Sequence, residues 1–265
     1  MSFIKTTFLI ALFISSSALA KWQPLKVSAE QSKVLNSVIE QAKSTPKAVA
    51  VFDLDSTLFD NRPRLVALYN EFGSINNIHK LYKVKAEDFW GWSRISGLKK
   101  AGLNEQEINT VETSFKVFFK QNFFTSEYVI FDTALPGAAE YVQKLYNLGC
   151  TIVYLTGRGE QMRSGSIYNL ERFNFPIKQK KTILLMKPKK FAANPKTDDK
   201  SKEININKVK NLGTVIAVFD NEPSHINKYA ENFPQSTVVW VDTDHSPKKI
   251  KPLASLPVVQ GFIAK

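Results

Sequence analysis

The chain has 265 residues, 43% of them hydrophobic and 23% charged, which excludes a disordered or fibrous protein and leaves room for one large domain or a domain with a sizeable insertion. Its formal net charge is +12, a balance that attracts anions, although the denser lysine stretch from Lys178 to Lys202 reads most simply as a solvated basic face. Cys150 is the only cysteine, so an intramolecular disulfide and a multi-cysteine metal site are both excluded, and its setting in Leu148-Gly-Cys-Thr-Ile-Val153 predicts a buried, inert thiol.

Residues 1–20 have the layout of a secretory signal peptide: Lys5, an apolar run from Phe8 to Ile14, then Ser15-Ser-Ser-Ala-Leu-Ala20. A spanning helix needs roughly 20 apolar residues, and Ser15 to Ser17 interrupt this run. The expected location is therefore exported, periplasmic or secreted, with no membrane span after cleavage. Loss of residues 1–20 removes Lys5 and leaves +11, apart from the new terminus.

Ser28-Ala-Glu-Gln31 resembles a capping box. It opens an amphipathic helix carrying Val34, Leu35, Val38 and Ile39, which ends at Pro46. Ala48 to Asp53 is short, continuous and apolar, the pattern of a buried parallel strand. Residues 61–130 are helical in pattern and rich in aromatics: Phe89, Trp90, Trp92, Phe115, Phe118, Phe119, Phe123 and Phe124. From Pro136 helices and strands alternate. Helices are expected over Gly137 to Leu148, about 159–173 and about 201–211, with one more before the last strand. Strands are expected at Thr151–Thr156, Thr182–Met186, Thr214–Asp220 and Thr237–Asp242. The alternation predicts an α/β fold, a parallel sheet covered on both faces, with residues 61–130 inserted after the first strand. Residues 21–60 and 131–265 then form the core domain.

In such sheets the ligand crevice lies beyond the carboxyl ends of the strands. Asp53, Thr156 and Asp220 each end a predicted apolar strand. Asp53 and Asp55 are two apart in Val51-Phe-Asp-Leu-Asp-Ser-Thr57, a spacing that projects both carboxylates to one side of an extended chain. Close carboxylates repel unless a cation or a proton intervenes, and such a pair divides labour between attack and proton transfer. A polar turn after a strand is the plainer reading of Asp-x-Asp alone. Thr156-Gly157-Arg158 offers a hydroxyl and backbone N–H groups before a helix, which suits a phosphate; a helix-capping threonine is the alternative. Asp220 supplies a third carboxylate, and Pro223 suits a helix start.

In this order the residues resemble the haloacid dehalogenase-like (HAD) hydrolase superfamily over roughly residues 46–245. Asp53 to Thr57 match its first motif, D-x-D-x-T/V, Thr156 its second and Asp220 its fourth. The resemblance implies a Rossmannoid three-layer fold whose helical insertion, 61–130, is a cap. It implies a phosphatase in which Asp53 attacks phosphorus, Asp55 serves as general acid and base, and Thr156 with Gly157 binds the phosphoryl group. Mg²⁺ would be held by the Asp53 carboxylate, the Asp55 main-chain carbonyl and Asp220. The family's dehalogenases lack the second aspartate, so Asp55 argues for phosphoryl chemistry. The third motif is a lysine, for which Lys187, Lys200 and Lys202 compete. Lys202 has Ile206, Val209 and Leu212 in its register, whereas Lys200 meets polar Asn207, so Lys202 is preferred. Many members carry a second aspartate four residues after the first in the fourth motif; here Ser224 stands there, and Glu222 and Asn221 are left without a role. Asn61, Arg62 and Arg64, just past the catalytic loop, are either substrate contacts or solvated. The expected partner is a small phosphorylated substrate, with no nucleic acid. The rival readings are a phosphotransferase or mutase on the same scaffold, and a non-catalytic basic protein that binds anions or nucleic acid. Neither the substrate nor the oligomeric state is legible.

Overall fold

The protein is seen in a computed structural model that describes residues 27–89, 93–188 and 198–264. The expected signal peptide, Trp90 and Trp92 lie outside the described residues. Among the described residues, no helix is long and apolar enough to cross a membrane.

Helix α1 (Ala29–Ser44) begins where the Ser28 hydroxyl accepts the Gln31 N–H at 3.0 Å. The expected capping box is only half made. The Gln31 side chain turns instead to the C-terminal segment, where it donates to the Ile263 carbonyl at 2.8 Å and accepts the Gln260 N–H at 2.9 Å. An amide can satisfy a donor and an acceptor of a distant segment at once, and that competes with the local bond.

Strand β1 (Ala48–Phe52) is buried throughout. The chain then passes through the two-residue strand β2 (Phe59–Asp60) into the helices α2 (Arg62–Ile75), α3 (Arg94–Lys100), α4 (Glu105–Asn122) and α5 (Ser126–Val129). It returns through β3 (Thr133–Ala134), antiparallel to β2 with Phe59 opposite Ala134. The helical insertion thus enters and leaves through one small ribbon. It has its own aromatic core, in which Tyr69, Phe72 and Phe115 pack edge to face.

The core resumes with α6 (Ala138–Asn147), β4 (Thr151–Gly159), α7 (Arg163–Arg172), β5 (Thr182–Lys187), α8 (Asp198–Lys210), β6 (Thr214–Asp220), α9 (Pro223–Asn232), β7 (Thr237–Val241) and β8 (Val258–Val259). The strands form one parallel sheet in the order β5-β4-β1-β6-β7-β8. Successive side chains of β1 alternate between the two faces. Ala48, Ala50 and Phe52 join the layer that holds α1 and α6, while Val49 and Val51 join the layer of α8 and α9. The result is the expected three-layer α/β fold, with β1 at its centre. β2, β3 and β8 are absent from the sequence reading because two residues are too few to show a period.

Two boundaries differ from expectation. β4 does not end at Thr156 but runs on to Gly159, with a register shift against β5 between Leu155 and Gly159. α7 starts only at Arg163, after a single 3-10 turn over Glu160–Met162, so the glycine at 157 continues a strand and does not open a helix.

Candidate active site

The carboxyl ends of β1, β4 and β6 converge on a cavity of about 510 Å³ lined by Asp53, Asp55, Thr156, Gly157, Lys202 and Asn221, among others. β1 ends at Phe52, and the Asp53 N–H donates to the Phe219 carbonyl at 3.0 Å. The chain then folds tightly: the N–H groups of Thr57, Leu58 and Phe59 all point at the Leu54 carbonyl, and Ser56 takes a left-handed φ of 57°. Asp55 therefore lies in a turn and not on an extended strand. Both carboxylates still line the same cavity, but they have different partners.

Asp53 accepts from Lys202 Nζ at 2.6 Å, and Asp220 accepts from the same nitrogen at 2.6 Å. All three side chains are buried. Lys202 reaches this point because the register of α8 puts Ile206 and Val209 into the core and turns position 202 toward the strand ends. Lys187 is buried at the end of β5 and does not line the cavity, and Lys200 is exposed. Burial and the nearby Asp220 charge push the Asp53 carboxyl up to about 7 against the pull of Lys202. Burial would raise Asp220 too, but Lys202 and His225 outweigh it and hold that carboxyl down at about 2.

Asp55 is held by two guanidinium groups. Arg158 donates to it from Nε at 3.0 Å and from a terminal nitrogen at 2.9 Å, and Arg64 donates at 2.8 Å. Burial opposes these contacts, yet the two arginines win and keep Asp55 well below the usual carboxylate range. Arg64 is thus not a solvated arginine, and neither is Arg62, which grips Asp60 through two nitrogens at 2.8 and 2.7 Å. Their burial follows from the ribbon that brings both ends of the insertion against the core. Asn61 is buried and lies beside a separate aromatic recess with Tyr69 and Phe119.

Thr156 is 1% exposed, and its hydroxyl accepts the Arg158 N–H at 3.2 Å. Thr57 locks the first turn to the fourth: its hydroxyl donates to Asn221 Oδ1 at 3.2 Å and accepts the Asn221 N–H at 3.1 Å. Glu222 also has a partner that the sequence did not reveal. Its carboxylate accepts the Ser246 N–H at 3.0 Å and the Ser246 hydroxyl at 2.6 Å, which pins the loop after β7 at the cavity rim. His225 stands 3.5 Å from Asp220. Arg158, Asp132, His225 and Ser246 carried no role in the sequence reading. Arg158 follows Thr156-Gly157 directly and could have been found there, whereas Asp132 sits in no recognisable pattern.

The donor set fits a hard divalent cation. Asp53 and Asp220 put two buried carboxylates against one ammonium, leaving an excess negative charge among oxygen donors, and Mg²⁺ characteristically takes one or two carboxylates and keeps several waters. Among the described residues, no group of three or more His, Cys, Asp or Glu side chains is placed to hold a metal ion.

A family model described as "HAD superfamily, subfamily IIIB (Acid phosphatase)" matches residues 109–222, a span that contains Thr156, Lys202 and Asp220. That part of the chain is similar to the HAD acid phosphatases, in keeping with the motifs read from the sequence. Solved structures similar to this chain include a class C acid phosphatase from Bacillus anthracis with tungstate bound, at 16% identity, covering 81% of this chain and 79% of that one, with a TM-score of 0.43. Another is a haloacid dehalogenase-like family hydrolase from Streptococcus pneumoniae, at 10% identity, covering 76% and 87%, with a TM-score of 0.44. A comparison with curated proteins finds no match.

Proposed function

We propose that the protein is a Mg²⁺-dependent phosphomonoester hydrolase that works through an aspartyl-phosphate on Asp53. The observation that carries this reading is the separation of the two carboxylates: both face one cavity, but Asp53 is paired with Lys202 and Asp55 with Arg158 and Arg64. That separation supports a division between attack and proton transfer.

Asp53 attacks the phosphorus of a small phosphomonoester; its carboxylate oxygen bonds to phosphorus as the bond to the leaving oxygen breaks. The leaving oxygen takes a proton from Asp55 in its protonated form. In the second half, Asp55 takes a proton from water, the water oxygen attacks phosphorus, and Asp53 is released with inorganic phosphate. Lys202 and the Thr156 hydroxyl, with the Gly157 backbone, carry the charge that spreads over the equatorial oxygens. Asp53, Asp220 and the Asp55 main-chain carbonyl would hold a divalent cation, which would supply further charge neutralisation. The arginines keep Asp55 ionised, which favours its work as a base; its work as an acid is favoured at acidic pH. The helical insertion serves as a cap that screens the site and selects substrates. The pattern of residues 1–20 supports export.

The test is phosphate release from a panel of nucleotides, sugar phosphates and aryl phosphates. Turnover is expected with Mg²⁺, loss of turnover with a chelator, and recovery on adding Mg²⁺ back. Unchanged turnover after exhaustive chelation would contradict the metal, and no turnover on any monoester would contradict the hydrolase.

A further inference from the structure

Two fully buried side chains, Arg64 and Asp132, stand behind Asp55. Arg64 comes from the first turn of α2, at the start of the insertion, and Asp132 comes just before β3, at its end. Their side chains, like that of Arg158 from the core strand β4, are 0% exposed, whereas that of Asp55 is 24% exposed and faces the cavity. Asp132 is the acceptor common to both arginines. Arg64 Nε donates to Asp132 Oδ1 at 2.8 Å, and a terminal Arg64 nitrogen bonds to Asp132 Oδ2. Arg158 donates to Asp132 Oδ2 at 2.7 Å and, from Nη1, to the Ser166 hydroxyl at 3.1 Å. The Phe123 ring, on the cavity wall, supports the Arg64 guanidinium at 4.6 Å.

Two guanidiniums and two carboxylates buried together are a costly way to hold an insertion in place, because apolar packing of the same volume does so equally well or better. What the fork geometry adds is direction. Arg64 holds Asp132 with its Nε–Nη2 edge and reaches Asp55 from the same Nη2, whereas Arg158 holds Asp55 with its Nε–Nη2 edge and reaches Asp132 from the same Nη2, so the Asp55 carboxylate has one orientation in which all its hydrogen bonds are made.

We propose that Arg64 and Asp132 are positioning residues: they tie both ends of the insertion to the core and thereby fix the Asp55 carboxylate where it exchanges a proton with the leaving oxygen. This rests on the hydrolase reading above. A seated insertion and a correctly aimed Asp55 are then one event.

The test compares the wild type with Arg64→Lys and Asp132→Asn on aryl phosphates whose phenols span a range of acidity, with thermal unfolding measured alongside. Arg64→Lys keeps the charge and loses the fork, so it serves if Asp132→Asn does not fold. A misaimed Asp55 matters most where the leaving oxygen most needs a proton. We expect kcat/KM to fall about 10–100-fold on phenyl phosphate, within the range general acid catalysis supplies, and by much less on the ester of the most acidic phenol. The dependence of log kcat/KM on leaving-group pKa should therefore steepen. Loss by the same factor across the series, or no loss, would overturn the proposal, since a merely structural role lowers every substrate alike. A wild type that hydrolyses none of the series would sink the hydrolase reading and this proposal with it; an active wild type with parallel losses sinks this proposal alone.

Discussion

At Asp53, burial and charge pull in opposite directions, and the balance has a measurable consequence. Its carboxyl is raised to about 7 in the fold, against 3.8 for an unperturbed aspartate. Between those values the folded protein binds more protons than the unfolded chain, so stability falls as pH rises from about 4 to about 7. Asp220 has the opposite sign: its carboxyl is lowered to about 2, so its contribution is present above the unfolded value and is lost as pH falls through 2. Metal-free Asp53→Asn should accordingly be more stable than the wild type at pH 8, by on the order of 2 kcal/mol, with the gap closing toward pH 4. Chemical denaturation in chelator across that range checks the sign; a variant less stable at pH 8 than at pH 4 relative to wild type would contradict it. Asp53, Thr156 and Asp220 were legible in the sequence because each closes an apolar run, even though β4 itself continues to Gly159. The partners of Asp55 were not, because Arg64 and Arg158 meet it through contacts that span 9 and 103 positions of the chain, and no local period encodes those.

At the scale of elements, the core helices and strands could be read from their periods, while the joints between insertion and core could not. The helix register that singled out Lys202 over Lys200 is a local property, and α8 keeps it. The β2–β3 ribbon and the longer β4 depend on tertiary pairing, so they appear only in the fold. A second joint lies where α5 docks on α7. The Ser126 hydroxyl accepts the Gly165 N–H at 3.1 Å, and a Cβ on Gly165 would meet the Ser126 carbonyl oxygen at 2.4 Å. Because the obstruction is backbone, one element must shift. Gly165→Ala should destabilise the protein by about 1–3 kcal/mol, the usual cost of overpacking, seen as a lower denaturation midpoint. A midpoint equal to that of the wild type would show that the joint has slack.

For the whole molecule, the parallel sheet explains why residues far apart in sequence act together. β1 sits between β4 and β6, so the turn after β1 is flanked by Thr156 on one side and Asp220 on the other, and α8 brings Lys202 across their ends. The insertion then covers the same end, with Phe123 and Phe124 on the cavity wall. The +12 net charge does not distinguish a basic anion-binding protein from an enzyme that attracts phosphorylated substrates, so the decisive measurement is on the nucleophile. Protein turning over an aryl phosphate with Mg²⁺ can be quenched with borohydride, which reduces an acyl-phosphate and marks the residue that carried it, and then mapped by mass spectrometry. The mark is expected on Asp53, and Asp53→Asn should show neither mark nor turnover while remaining folded. A mark on another residue, or undiminished phosphate release by Asp53→Asn, would contradict the account.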